Sequence, residues 1–128
     1  MTGREMSALS RAAGAAESAQ WALSKVVHLL AAADALRDLG AEREWAAEYR
    51  AGLMERAKAA KATLALCEAG QKRFEDILSS CPDPQTEQIL RLKYQRHFSW
   101  RNVALRVGGG NTEDSVRKRA ERYLKPLK

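Results

Sequence analysis

A seven-residue apolar repeat beginning at Leu9 limits what this chain can fold into more than any other feature. Leu9, Ala16, Leu23 and Leu30 hold one position of the repeat and Ala12, Ala19, Val26 and Ala33 the other, until Arg37 breaks the series. Side chains at that spacing share one narrow stripe of an α-helix, and such a stripe is buried by packing on a second helix. Gly40, following Asp38 and Leu39, suits the left-handed residue that ends a helix, so a break is expected between Leu39 and Ala41. A second periodic stretch follows, with Ala46, Leu53, Ala60, Cys67 and Phe74 at one position and a less pure series, Tyr49, Arg56, Thr63, Gly70 and Ile77, at the other. Two such helices joined by a short break predict a long, coiled-coil-like helical hairpin over residues 1–80. Gly14, Gly52 and Gly70 each weaken a helix by about 1 kcal/mol relative to alanine and mark places for bending or close helix contact.

Trp21, Val27, Leu29, Leu36 and Trp45 do not all fit on these seams. A homodimer through residues 1–80 would bury them, as would packing against the C-terminal part of the chain. Plain partial exposure is the third outcome, because scattered exposed apolar side chains are normal.

The charge of the chain is partitioned sharply. Met1 to Ser80 carries 11 Lys and Arg against 11 Asp and Glu, whereas Cys81 to Lys128 carries 11 against 5, so the whole net charge of +6 lies in the last 48 residues. A compact basic module is the electrostatic footprint expected of a protein that neutralises phosphates on duplex DNA. The 128 residues suffice for one small core plus an elongated helical piece, which places a domain boundary at residue 80 and a second domain over 81–128. Ser79, Ser80, Cys81 and Pro82 form either a hinge or a tight corner between them.

The second domain spells three helices. Asp83 followed by Pro84 starts a helix expected to run to His97, with Ile89, Leu90, Tyr94 and Phe98 inward and Arg91, Lys93 and Arg96 elsewhere. Ser99 caps a shorter helix, Trp100 to Val107, whose Trp100, Val103, Ala104 and Val107 follow the helical apolar spacing, and Gly108 to Gly110 end it. Asn111 or Thr112 caps the last helix, in which Glu113 and Asp114 suit the positive end of the helix dipole. Its buried stripe is Val116, Ala120, Tyr123, Leu124 and Leu127, which leaves Asp114, Ser115, Arg117, Lys118, Glu121, Arg122 and Lys125 on the outer arc and Arg119 at the boundary. A short helix, a turn and a basic helix match the docking logic of a helix-turn-helix, whose second helix enters the major groove by its N-terminal end. Ser115, Arg117 and Lys118 are the candidates for base edges or nearby phosphates, and Arg122, Lys125, Arg101 and Arg106 for phosphates, which position a protein without reading sequence.

The segments Ile89-Leu90-Arg91-Leu92-Lys93-Tyr94, Phe98-Ser99-Trp100-Arg101-Asn102-Val103-Ala104 and Gly109 through Arg119 resemble the small sigma-70 region 4-like proteins of phages and prophages. The likeness is nearest to the ArpU- and RinA-like regulators and covers about the last 45 residues. It implies binding of promoter DNA and action with bacterial RNA polymerase, with Asp114, Ser115, Arg117 and Lys118 in the DNA-reading part of the last helix; Asn111, Thr112 and Arg119 beside them complete the candidate DNA contacts. The triple glycine and Arg119, which stands where sigma factors have an apolar residue, depart from the pattern.

Other chemistry finds little support. Trp100 lies in an apolar stripe and reads as core rather than as a platform for a nucleobase, and the glycine run lacks the lysine-serine pair of a nucleotide-binding loop. His28 and His97 have no second ligand nearby, and Cys67 and Cys81 stand far apart, so no metal site, cofactor or disulfide is expected. No carboxylate cluster or nucleophile-base pair suggests an enzyme. The longest apolar runs are far too short to cross a bilayer and no signal peptide is evident, so the expectation is a protein of the bacterial cytoplasm with no membrane partner. The alternative to a DNA reader is a helical module that binds RNA polymerase or another protein without reading DNA.

Overall fold

Helix α1, Gly3–Asp38, realises the first apolar repeat, and all eight positions of that repeat are buried or half-buried in the computed structural model, which describes residues 1–40 and 44–128. The helix ends at Gly40, whose φ of 80° is left-handed; Ala41 lies outside the described residues. Helix α2, Glu44–Ser79, keeps Ala46, Leu53, Ala60, Cys67 and Phe74 turned away from solvent. The alternate series corrects the sequence reading. Tyr49, Arg56 and Thr63 are exposed, and Arg50, Ala57 and Leu64, one residue later, take their place. A seam can step by three then four residues or by four then three; α1 uses the first order and α2 the second over residues 46–67, which puts Ala57 and Leu64 rather than Arg56 and Thr63 on its covered face, while the expected Gly70 and Ile77 do lie on the covered side.

Three short helices follow: α3, Pro84–Leu90, continued by one π turn over Arg91–Gln95; α4, Trp100–Val107; and α5, Glu113–Leu124. The described residues are all-helical, with no strand. Helix α3 is shorter than its sequence suggests. Its α-helical hydrogen bonds give way at Leu90, Arg96 N–H donates to the Arg91 carbonyl five residues back at 2.9 Å, and His97 turns left-handed with φ 60°. Leu92, three residues after Ile89 and missing from the expected inward set, is buried in this turn together with Tyr94.

Packing divides the chain into two compact units, Met1–Ala13 with Gly70–Lys128, and Gly14–Ala69. In the first, one core gathers Met6 from α1, Phe74, Ile77 and Leu78 from α2, and Ile89, Leu90, Leu92, Tyr94, Val103, Ala104, Val116, Ala120 and Leu124 from the short helices. The residues after 80 therefore do not close a core among themselves. A stretch of 48 residues buries too little apolar surface for comfortable stability, and the ends of both long helices supply what it lacks. Ser10, itself buried, donates to the Tyr94 carbonyl left over at the end of the π turn, so a backbone acceptor there keeps a partner. The second unit has a thin seam in which Ala16, Val26, Leu53 and Ala57 are buried, and Arg50 Nε lies 2.6 Å from Asp34 Oδ1.

Of the glycines inside the long helices beyond Gly3 at the start of α1, Gly70 has a neighbour: a Cβ there would come within 2.7 Å of Ala12 Cβ, while Gly14 and Gly52 face open space. Gly14→Ala and Gly52→Ala should each raise stability by about 0.5–1 kcal/mol through helix propensity. Gly70→Ala should lower it by about 1–3 kcal/mol, because two helix backbones must part to admit the methyl group. Thermal melts followed by circular dichroism check both signs.

Candidate nucleic-acid interface

The C-terminal surface is built on caps. Asp83 accepts from the Thr86 backbone N–H at 2.7 Å and from its hydroxyl at 2.9 Å, which fixes the start of α3 and holds the carboxyl below the usual carboxylate range. Ser99 accepts from Asn102 N–H at 3.2 Å and starts α4. Trp100 then stands edge-on to Tyr94, with ring centroids 6.3 Å apart, and Lys93 Nζ lies 4.9 Å from the Trp100 ring centre. The indole is a half-buried wall of the core, as its place in the apolar stripe predicts.

Between α4 and α5 the backbone must reverse in a few residues, and three successive glycines with φ of 68°, 63° and 78° do it. Side chains larger than glycine are disfavoured in that region, so the run is a conformational necessity at this turn. Asn111 closes it by donating from Nδ2 to the Gly108 carbonyl at 2.8 Å. Thr112 is the N-cap of α5 and forms a reciprocal pair with Ser115: Ser115 N–H donates to Thr112 Oγ1 at 3.1 Å, and Thr112 N–H donates to Ser115 Oγ at 2.9 Å.

Helix α5 is fixed from one side only. Val116, Ala120 and Leu124 are buried, and Tyr123 donates its hydroxyl to the Ile77 carbonyl at 2.7 Å, tying α5 to the end of α2. Burial pushes the Tyr123 phenol up to about 12, with the nearby Cys81 thiol adding to the effect. Arg119 is half-buried and donates to Gln85 on α3. It braces the helix instead of joining the outer arc, a role legible only once Gln85 is known to lie opposite.

The remaining candidates are open to solvent. Thr112, Asp114, Ser115, Arg117, Lys118, Arg122 and Lys125 are exposed along and around α5, and Arg101 and Arg106 are exposed on α4, while Asn111 is half-buried in the turn. Arg117 pairs with Asp114 at 2.8 Å, with the two side chains 44% and 69% exposed. An ion pair this exposed is worth about 0–1 kcal/mol and exchanges readily for another acceptor. Arg106 lies over the Phe98 ring at 5.5 Å, so its stem is steadied while its charge stays outside. Within Glu113–Leu124 four basic residues face three acidic ones, a net of +1, so the larger charge of the module comes from α4, the π turn and the end of the chain. No family model, curated protein or solved structure matches the chain.

Sequence reasoning missed the bracing pair Arg119–Gln85 and the bridge that Arg91 makes to Glu75 at 2.9 Å and Glu87 at 3.4 Å. That bridge lowers the Glu75 carboxyl and joins α2 to α3. Glu87 and Arg91 stand four apart in the sequence, a spacing that signals half of it; Glu75 carries no local signal. Among the described residues no cluster of His, Cys, Asp and Glu could hold a metal ion, and no helix is long and apolar enough to cross a membrane.

The folded state holds the Tyr123 proton more tightly than the unfolded chain does, so its contribution is complete below about pH 10 and falls away between about pH 10 and about 12. Denaturant melts of the wild type across that window should lose stability more steeply than those of Tyr123→Phe. Below pH 10 the variant should be weaker by about 1 kcal/mol, having left the Ile77 carbonyl without its donor.

Proposed function

We propose that this protein is a sequence-selective duplex DNA-binding regulator of transcription that places α5 in the major groove. The observation that carries the proposal is the coincidence of charge and geometry. All of the +6 lies in Cys81–Lys128, and there Ser115, Arg117, Lys118, Arg122 and Lys125 are exposed on the same helix whose Val116, Ala120 and Leu124 are buried.

In this reading α3 to α5 form a helix-turn-helix module and α1 with α2 form the helical hairpin that carries it. The two cross-helix approaches, Asp34 to Arg50 and Ala12 to Gly70, support an antiparallel pairing. Arg117 leaves Asp114 for a guanine edge or a phosphate, and Asp114 is then free to accept from a cytosine amino group. Lys118, Arg122, Lys125, Arg101 and Arg106 neutralise phosphates. The capping bonds between Thr112 and Ser115 hold the N-terminal turn of α5 rigid, and its backbone N–H groups favour a phosphate. The resemblance of residues 89–119 to sigma-70 region 4-like phage regulators supports a role beside bacterial RNA polymerase in the host cytoplasm. Arg119, unusual for that pattern, finds a polar partner in Gln85. A second reading, a module that binds polymerase without reading DNA, draws on the small net charge of α5 itself.

Fluorescence anisotropy of labelled duplexes from around the protein's own gene, against a scrambled duplex at several salt concentrations, tests the proposal. Preference for the native duplex is expected, with the log-log salt slope near 0.9 per phosphate contact. Arg117→Ala should weaken binding by about 5- to 100-fold and relax sequence preference, whereas Arg122→Ala should weaken all duplexes alike and reduce the slope by about 1. Absence of binding at low salt would leave the protein-binding reading.

A further inference from the structure

The Gly14–Ala69 unit has an apolar face that borders its own seam and extends beyond it. Trp21, Lys25, Leu29, Ala32 and Leu36 recur at steps of four, four, three and four, which sets them on a second stripe of α1, beside the stripe that holds Val26. Lys25 lies along the Trp21 ring, its Nζ 5.7 Å from the centre, so its stem extends the stripe. From α2, Trp45 and Tyr49 line a groove of about 440 Å³ with Leu29, Leu36 and four alanines, and its two cations, Arg37 and Arg50, both pair with Asp34. Trp21 is 69%, Trp45 62%, Leu36 55% and Tyr49 50% exposed, and among the described residues nothing covers them.

We infer that this face is the interface of a symmetric dimer and that its occupant is a second copy of the chain. Three observations choose that occupant. A two-fold contact needs a surface complementary to itself. Here the projecting Trp45 stands beside an alanine-lined hollow on one patch, so a Trp45 from each copy has a seat in the other, with Trp21 further along the α1 stripe. Charge permits it, because residues 14–69 carry 7 Lys and Arg against 8 Asp and Glu, a net of −1, so two such units meet without the repulsion that the +6 module would impose. The same neutrality gives nucleic acid no hold here. Area is the third: an aromatic side chain carries about 150–250 Å², so Trp21, Trp45 and Tyr49, 50–69% exposed, offer about 270–450 Å², which Leu36 and neighbouring apolar side chains extend toward the ~800 Å² per partner of a stable interface.

The interface rests on the groove alone; only its consequence, an operator with two-fold symmetry, rests on the DNA-reading proposal. The test is therefore made without DNA. Sedimentation equilibrium of the full chain at micromolar concentrations should give about twice its 14.2 kDa mass. Trp45→Glu and Leu36→Glu, both at exposed positions, should each give the monomer mass with unchanged helical circular dichroism. Leu66→Glu, 75% exposed and about 30 Å further along α2, should remain dimeric. Dilution of the wild type should shift tryptophan emission to the red as the indoles return to water, with no shift in either groove variant. A wild type that is monomeric at about 100 µM, or a dimer that survives both groove substitutions, overturns the inference; the first outcome would leave the groove to a different protein. DNA binding by a monomeric wild type would overturn this inference and leave the proposed function standing.

Discussion

The last 48 residues carry the charge and the exposed basic helix, yet they are held in place by the two ends of the long helices. Met6 and Leu78 are without solvent exposure in the same cluster as Ile89, Val103, Val116 and Leu124. Removing either contribution would open the core of a very small unit, where each buried aliphatic side chain is worth about 1.5–3 kcal/mol. Polar bonds reinforce the docking at specific points: Ser10 to the Tyr94 carbonyl, Tyr123 to the Ile77 carbonyl and Arg91 to Glu75. Each joins a long helix to one of the later elements, so the position of α5 depends on residues that are remote in sequence.

That dependence has a consequence for α5 itself. A helix of 12 residues is marginal in water by propensity alone, and this one is bounded by a reciprocal cap at Thr112 and Ser115 and buried along Val116, Ala120 and Leu124. Its restraints act on its start, its inner side, including Arg119 on Gln85, and its last turn, where the Met1 amine donates to the Leu124 carbonyl at 3.2 Å. The outer arc is left with side chains whose bonds are cheap to exchange, Arg117 with Asp114 being the clearest. A surface that is rigid in backbone and loose in side chain is suited to meeting a partner whose detailed shape it does not share.

Much of this was legible from local pattern. The caps at Asp83, Ser99 and Thr112, the bounds of α4, the inner and outer sides of α5 and the seam of α1 all follow from spacing and from residue chemistry within a few positions. What escaped is of another kind. The alternate series of the α2 seam shifted by one residue between Tyr49 and Leu64, because Tyr49, Arg56 and Thr63 and Arg50, Ala57 and Leu64 both satisfy a helical repeat and only the covering partner selects between them. The π turn at Arg91–Gln95 has no local marker, and Leu92 within it is buried although it is not among the expected inward residues. Met6 was invisible as a core residue because nothing near it announces the helices that cover it.

The sequence by itself determined which segments become helices, where most of them begin and end, and where the charge lies, because caps, glycine turns and apolar periods act over three or four residues. Only the tertiary structure decided that Met1–Ala13 belongs with Gly70–Lys128 and that Arg119 braces α5 against α3 while Arg117 stays exposed, paired only with Asp114 on its own helix. It also decided that the apolar groove of the other unit stays open. Those outcomes depend on which surfaces meet across long stretches of chain, and burial is a property of the pair that meets, not of either sequence segment alone.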